Sequence, residues 1–345
     1  MDLIRDCFDK FYDGIKKPIF KLTEKNPQYA HRGFVLLCQI LYATNLDKFV
    51  LDCKENRMNP GFKIYSAAGL NKNGKIPPRS LWYIGFDGVV QGTTSANKWK
   101  GNPKPTISRN VDLESMINYE GWNSDGCERL AKRNEKYRGV SLIESFGPTN
   151  NPLIKDNIDA RLSDVEKTIL TLRNHPDVIE FDFDSSCDNL CVPRKQFLEE
   201  LEIFLKFTKD LILPHHKLGL KISPDLNEEG ADEIISKSYN YVDKYIISNT
   251  TGDRELLKEY NLFLPNHSGR GSGSGKVVYE KRLKVQKIFY HRLEGTDKAI
   301  VACGAIDSKE KALESIKYEP QDEKEIRLFT PLVFRGTRLL RELRS

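Results

Sequence analysis

Residues 63–74 read KIYSAAGLNKNG. A short alternating run, KIYS, gives way to small residues and a glycine, and then to Lys72 standing between two asparagines. Such a run ending in residues that permit unusual dihedrals describes a buried strand closed by a tight turn. It equally describes a floor stripped of side chains, on which a flat ligand lies with Lys72 at one polar edge. A short glycine motif alone does not choose between them. The same texture recurs along the chain. GFDGVVQGT, RGVSLIES, DVIEFDFD, KLGLKIS, KYIISNTT, KAIVACGA and EIRLFT read as strands. SDVEKTILTLRNH, RKQFLEELEIFLKFTKDLI, EEGADEIISKSYNYV, EKRLKVQKIFYHRL and SKEKALESIKY read as helices. Strands alternating with helices predict parallel pairing. Eight such strands, KIYSAAG included, predict an α/β fold, a (β/α)8 TIM barrel with its site at the carboxyl ends of the strands. AAGLNKNG, GTTS, DSSCDN, KISPD, SNTT and CGA each stand at such an end, which favours the ligand floor. GRGSGSG, residues 269–275, reads as a glycine loop within the barrel.

The bulk composition narrows the class. Of 345 residues, 39% are hydrophobic and 30% charged, which is a globular chain with a core large enough for an enclosed site. A net charge of +5 suits an anionic ligand or an acidic membrane surface. No basic stripe with interleaved aromatics points to nucleic acid. The 7 cysteines are irregularly spaced and complete neither a disulfide framework nor a metal-ligand set, which fits a reducing, intracellular compartment. The first residues, MDLIRDCFDKFYDG, resemble neither a secretory signal nor a transit peptide. No apolar run approaches the ~20 residues that span a bilayer.

Residues 1–55 read as a helical extension, and 56–345 as the barrel. In IRDCFDKFYDGIKKPIFKL apolar residues recur at helical spacing, interrupted at Pro18. AHRGFVLLCQILYATNLDKFVLD reads as a second, more apolar helix. Such helices either pack on the core or lie as an interfacial pair on a membrane.

SAAGLNKNG, GTTSANKWKGNPKP, NYEGWNSDG, KISPDL, SNTT, GSGSG and CGAIDS follow one another in the order and approximate spacing found in dihydroorotate dehydrogenases. The chain resembles that family over essentially its whole length, and NPQYAH before the second helix resembles the extension of its membrane-associated, quinone-using class. The resemblance implies a flavoprotein that uses FMN to oxidise dihydroorotate to orotate in pyrimidine biosynthesis, with quinone as electron acceptor and peripheral membrane contact. It implies that Ala67, Ala68 and Gly69 approach the flavin ring, that Thr93 and Ser248 contact it, and that Lys221 places positive charge beside it. Gly275, Gly304, Phe329 and Thr330 would hold the phosphate. Lys72, Asn118, Asn249 and Thr250 would bind substrate, with Tyr119, Glu120, Gly121, Trp122 and Asn189 around it.

Several positions depart from the family pattern. Ser141, in GVSL, stands where an asparagine supports flavin and substrate. In DVIEFDFDSSCDN the usual asparagine becomes Asp182 or Asp184, according to register. One register places the proton-abstracting base at Ser185, opposite Asp182, and the other places it at Cys187, opposite Asp184. Both keep strand-face parity; Ser186 would serve only with a bulge. The proline that normally follows the base is absent. An ionised aspartate would repel a carboxylate-bearing substrate where an amide would donate to it. The departures admit a second reading, a divergent or catalytically reduced FMN-binding protein with another substrate or a binding role.

Overall fold

The computed structural model describes residues 14, 18–23, 28–52, 58–185, 194–265, 267 and 269–345. Eight strands close into a parallel barrel: β1 (Lys63–Ser66), β2 (Gly88–Thr94), β5 (Ser141–Phe146), β6 (Val178–Asp184), β7 (Lys217–Ile222), β8 (Lys244–Ile247), β10 (Ala299–Cys303) and β11 (Glu325–Leu328). Their order around the barrel is β1-β11-β10-β8-β7-β6-β5-β2, so each strand pairs with the next barrel strand in sequence and β11 returns to β1. These are the eight runs expected from the sequence.

Strand parity sorts the side chains. In VIEFDFD, Phe181 and Phe183 point outward into the helical layer, where Phe183 stacks on Phe204 with ring centroids 5.5 Å apart. Phe204 belongs to the helix Arg194–Leu211, whose buried Phe197, Leu201, Phe204 and Leu205 recur at three- and four-residue spacing, the apolar stripe that a barrel helix must bury. Glu180, Asp182 and Asp184 alternate with these phenylalanines and face the barrel interior. Side-chain oxygens of Asn157, Asn227, Asp253 and Ser308 cap their helices, so four of the strand-to-helix turns end on the residue type that satisfies free amide donors.

Two features differ from the sequence expectation. The reading of one helix across 30–52 gives way to two: α1 (Gln28–Ala43) and a short helix Asp47–Leu51, separated at Asn45, whose φ of 55° stops the first. GRGSGSG is not wholly a loop. Residues β9 (Ser272–Gly275) pair antiparallel with β4 (Ser115–Asn118), which pairs with β3 (Ile107–Asn110) to form a three-stranded sheet. β9 carries no strand-forming side chain. Its extended form is set by β4 and by lack of room, because a Cβ on Gly273 would lie 2.4 Å from Leu257 Cδ2.

Candidate active site

The carboxyl ends of the strands open into a cavity of about 1640 Å³. That exceeds the ~300–1,000 Å³ usual for one small ligand, so there is room for more than one. Ala67, Ala68 and Gly69 form part of its wall, continuing directly from β1. Gly69 has φ of 103°, and a Cβ there would sit 3.1 Å from the Phe329 ring. Only glycine gives that turn without displacing the phenylalanine. Residues 67–69 are therefore a cavity wall as well as a turn.

Lys221, at the end of β7, also lines the cavity and is 9% exposed. It makes no ion pair among the described residues. Thr93 and Asp184 enter from β2 and β6, on either side of β5, with Thr93 Oγ1 donating to Asp184 Oδ2 at 2.7 Å. Asn249 Nδ2 donates to the other oxygen of Asp184 at 2.8 Å, and Thr250 N donates to Asn249 Oδ1 at 2.9 Å. Ser248, from the end of β8, borders the same space. On the opposite side Gly304, Phe329 and Thr330 line the cavity, and Thr330 Oγ1 donates to Ser274 Oγ at 2.9 Å. Gly275 lies one residue behind this lining. Its φ of 98° turns it onto β4, where a Cβ would stand 2.4 Å from the Glu114 carbonyl.

Asn118, Tyr119, Glu120, Gly121 and Trp122 form a further wall. Asn118 donates to the Ser272 carbonyl at 3.3 Å, the Tyr119 hydroxyl accepts from Arg270 at 2.8 Å, and the Trp122 ring covers Gly147. Lys72 Nζ is 3.1 Å from Glu120 Oε2. Beyond them the cavity runs on between barrel and α1, past Gln28, His31, Phe34 and Val35. Burial holds His31 below its ordinary pKa, against the pull of Glu120.

Three expected site residues are not where the sequence reading put them. Ser141 begins β5, paired with Gly88 at the amino end of the barrel, away from the cavity. Ser145 occupies the carboxyl end instead, 3.5 Å from Thr93 Oγ1. A slip of four residues preserves strand parity, so alternation could not separate the two serines. Asp182 lies inside the barrel beneath the cavity, where its Oδ2 accepts from Arg327. Lys244 Nζ bridges Glu180 at 2.7 Å and Glu325 at 2.8 Å, and Arg327 also holds Glu180 and Glu325. Burial, aided by the Glu180 charge, pushes the Asp182 carboxyl up to about 8, whereas Arg327 and Lys244 hold Glu180 down. Ser185 is buried and its hydroxyl donates to the Lys221 carbonyl at 2.6 Å, so it is spent on the neighbouring strand rather than aimed at the cavity. Ser186, Cys187 and Asn189 lie outside the described residues.

The family model for dihydroorotate dehydrogenase matches residues 54–320. The chain belongs to the dihydroorotate dehydrogenase family. It is 30% identical over 283 residues to the dihydroorotate dehydrogenase (quinone) of Brucella abortus, covering 80% of this chain and 74% of the relative. It is 30% identical over 262 residues to the protein of the same description in Rhizobium johnstonii, covering 73% and 68%. In fold it matches the structure of DHODH from Eimeria tenella in complex with ferulenol, with a TM-score of 0.78 at 21% identity over 96% of this chain and 93% of that one. The ligand-free form from the same organism matches with a TM-score of 0.71. FMN binding is typical of this enzyme family.

Proposed function

We propose that the protein is an FMN-dependent dihydroorotate dehydrogenase that passes electrons to a quinone. The observation that carries this reading is Lys221, a nearly buried lysine with no ion pair among the described residues, aimed into a cavity walled by Ala67, Ala68 and Gly69. A cation removed from water needs a compensating anion. The residues present fit FMN: a wall of small side chains for the ring, Lys221 for its electron-rich edge, and Gly304, Ser274 and Thr330 with little bulk for the phosphate. When bound, FMN supplies the hydride acceptor for oxidation of the substrate.

The chain's own groups then have defined tasks. Lys72, Asn118 and Asn249 orient a small anionic substrate, and Trp122 and Phe329 exclude water around it. Lys221 stabilises negative charge that develops beside it. The register that puts Asp184 in the cavity assigns proton removal to Cys187. The arm of the cavity past Phe34 and Val35 gives a hydrophobic acceptor a separate approach. Tyr29, Leu36 and Ile40 are exposed on α1 and Phe49 on the short helix that follows it, apolar groups suited to a membrane surface. No helix among the described residues is long and apolar enough to cross a membrane.

Asp184 favours a second reading, a family member tuned to another ligand, because a carboxylate there takes up the Asn249 donor that an acidic substrate would use. The test is to purify the protein, identify released cofactor by absorbance and mass, and assay dihydroorotate oxidation with a hydrophobic quinone. Protein that stays colourless after reconstitution with FMN overturns both readings. Yellow protein without turnover leaves the second.

A further inference from the structure

The substrate end of the cavity and helix α1 share a single carboxylate. Glu120 Oε2 lies 3.1 Å from Lys72 Nζ, while Glu120 Oε1 accepts from Gln28 Nε2 at 3.3 Å. Gln28, the first residue of α1, is itself anchored, donating to Thr106 Oγ1 at 2.9 Å. His31, one turn along α1, feels the Glu120 charge directly. Lys72 and Glu120 both face the cavity, with side chains 15% and 23% exposed. Lys72 is thus unlike Lys221: its charge is already matched from within the chain.

We propose that Glu120 sets the affinity of the site for anionic substrates, holding Lys72 until a substrate carboxylate displaces it and coupling that exchange to the seating of α1. The inference rests on the proposed function. A lysine engaged by an internal carboxylate must break that pair before it serves a ligand, so the pair's own stability is subtracted from binding. Gln28 reduces the cost by keeping hold of the freed Glu120 through its other oxygen. Because one carboxylate touches both the lysine at the substrate end and the helix along the other arm, a ligand at one end is felt at the other.

The test measures orotate affinity of the FMN-loaded protein by the flavin absorbance shift, in wild type, E120Q, K72M, the K72M/E120Q double variant and Q28L. E120Q should bind orotate about three- to tenfold more tightly than wild type, the scale of one partly shielded ion pair. In the K72M background the same change should alter affinity by less than about twofold, because the effect runs through Lys72. Q28L should weaken binding, since the displaced carboxylate loses its second partner. Glu120→Ala serves the same comparison if E120Q fails to retain flavin. Affinity unchanged or weakened in E120Q, or tightened equally with and without Lys72, overturns the proposal while leaving the substrate assignment intact. Failure of every flavin-loaded form, wild type included, to bind orotate overturns the substrate assignment and this proposal with it.

Discussion

Asp182→Asn is the substitution that most sharply separates the barrel interior from the ligand site. The native carboxyl is buried, touches Arg327 through Oδ2, and when protonated hydrogen-bonds to Glu180. Around it Glu180 and Glu325 carry negative charge against Lys244 and Arg327. Burial raises its pKa from 3.8 to about 8. The folded state therefore keeps a proton that the unfolded chain gives up near pH 4. Below that point both states are protonated and the group is neutral in the balance. As pH rises towards about 8, stability is lost at one proton's linkage, about 1.4 kcal/mol per pH unit. An asparagine has the shape of the protonated acid, with an oxygen for Arg327 and an NH2 group that can face Glu180, but it cannot titrate.

Urea unfolding of FMN-loaded wild type and D182N from pH 5 to 8 reads this directly. The variant should lack one proton's worth of slope, so that it gains on the wild type as pH rises. Other buried acids whose pKa is raised by burial, Glu144 and Glu319, act equally in both proteins and cancel in the comparison. Orotate affinity should change by less than about twofold, because the side chain lies below the cavity and not in it. Parallel pH slopes, or a large change in orotate binding, would refute the reasoning.

Asp184→Asn should tighten orotate at neutral pH. It replaces a carboxylate held by Thr93 and Asn249 with a group that can donate, and a like charge at ~4 Å costs about 4 kcal/mol at an effective dielectric of 20; equal affinities in flavin titrations would show that the carboxylate does not meet the ligand. Gly219→Ala should lower stability by about 1–3 kcal/mol, measured as a fall in melting temperature, because its Cβ would sit 2.2 Å from Asp182 Oδ1 and 2.6 Å from Ile246 Cδ1. The double variant I40E/F49E, on exposed positions, should leave FMN and orotate binding intact while cutting turnover with a long-chain quinone in lipid vesicles by more than about half; undiminished turnover would assign the apolar face some other use.

The architecture was legible because each barrel strand carries its own punctuation: a short run rich in apolar or β-branched residues, then glycine, serine, threonine or asparagine at the carboxyl end. The two-residue period told which side chains share a face. It could not tell how far along the barrel axis each one sits. Asp182 and Asp184 are on one face of β6, as are Ser141 and Ser145 on β5 when counted in steps of two. Each pair differs only in depth, and depth is fixed by where neighbouring strands end. A cue for depth did exist in Arg327, within EIRL, and Lys244, which opens KYII: cations buried in the barrel interior demand acids at the same level, which claims Asp182 and leaves Asp184 for the cavity. β9 is not legible in the sequence for the opposite reason. SGSG has no propensity of its own and becomes a strand only because β4 pairs with it.

The same depth argument links the interior charges to the chemistry above them. Glu180, Asp182 and Glu325 face two cations, Lys244 and Arg327, so full ionisation would leave one uncompensated negative charge under the cavity floor. Arg327 is paired in register with Cys303, which lines that floor. An anion there would oppose Lys221 and disfavour the negatively charged ligands proposed to bind beside Lys221 and Lys72. Retention of a proton by Asp182 removes that opposition: the interior closes as a neutral set, and the field at the cavity is left to the charged side chains that line it, Lys221, Asp184 and the Lys72–Glu120 pair among them. Ionisation of Asp182 in alkaline solution should therefore weaken orotate binding in the wild type and not in D182N, and orotate titrations of both proteins above pH 8 would show whether the floor of the site senses the charge beneath it.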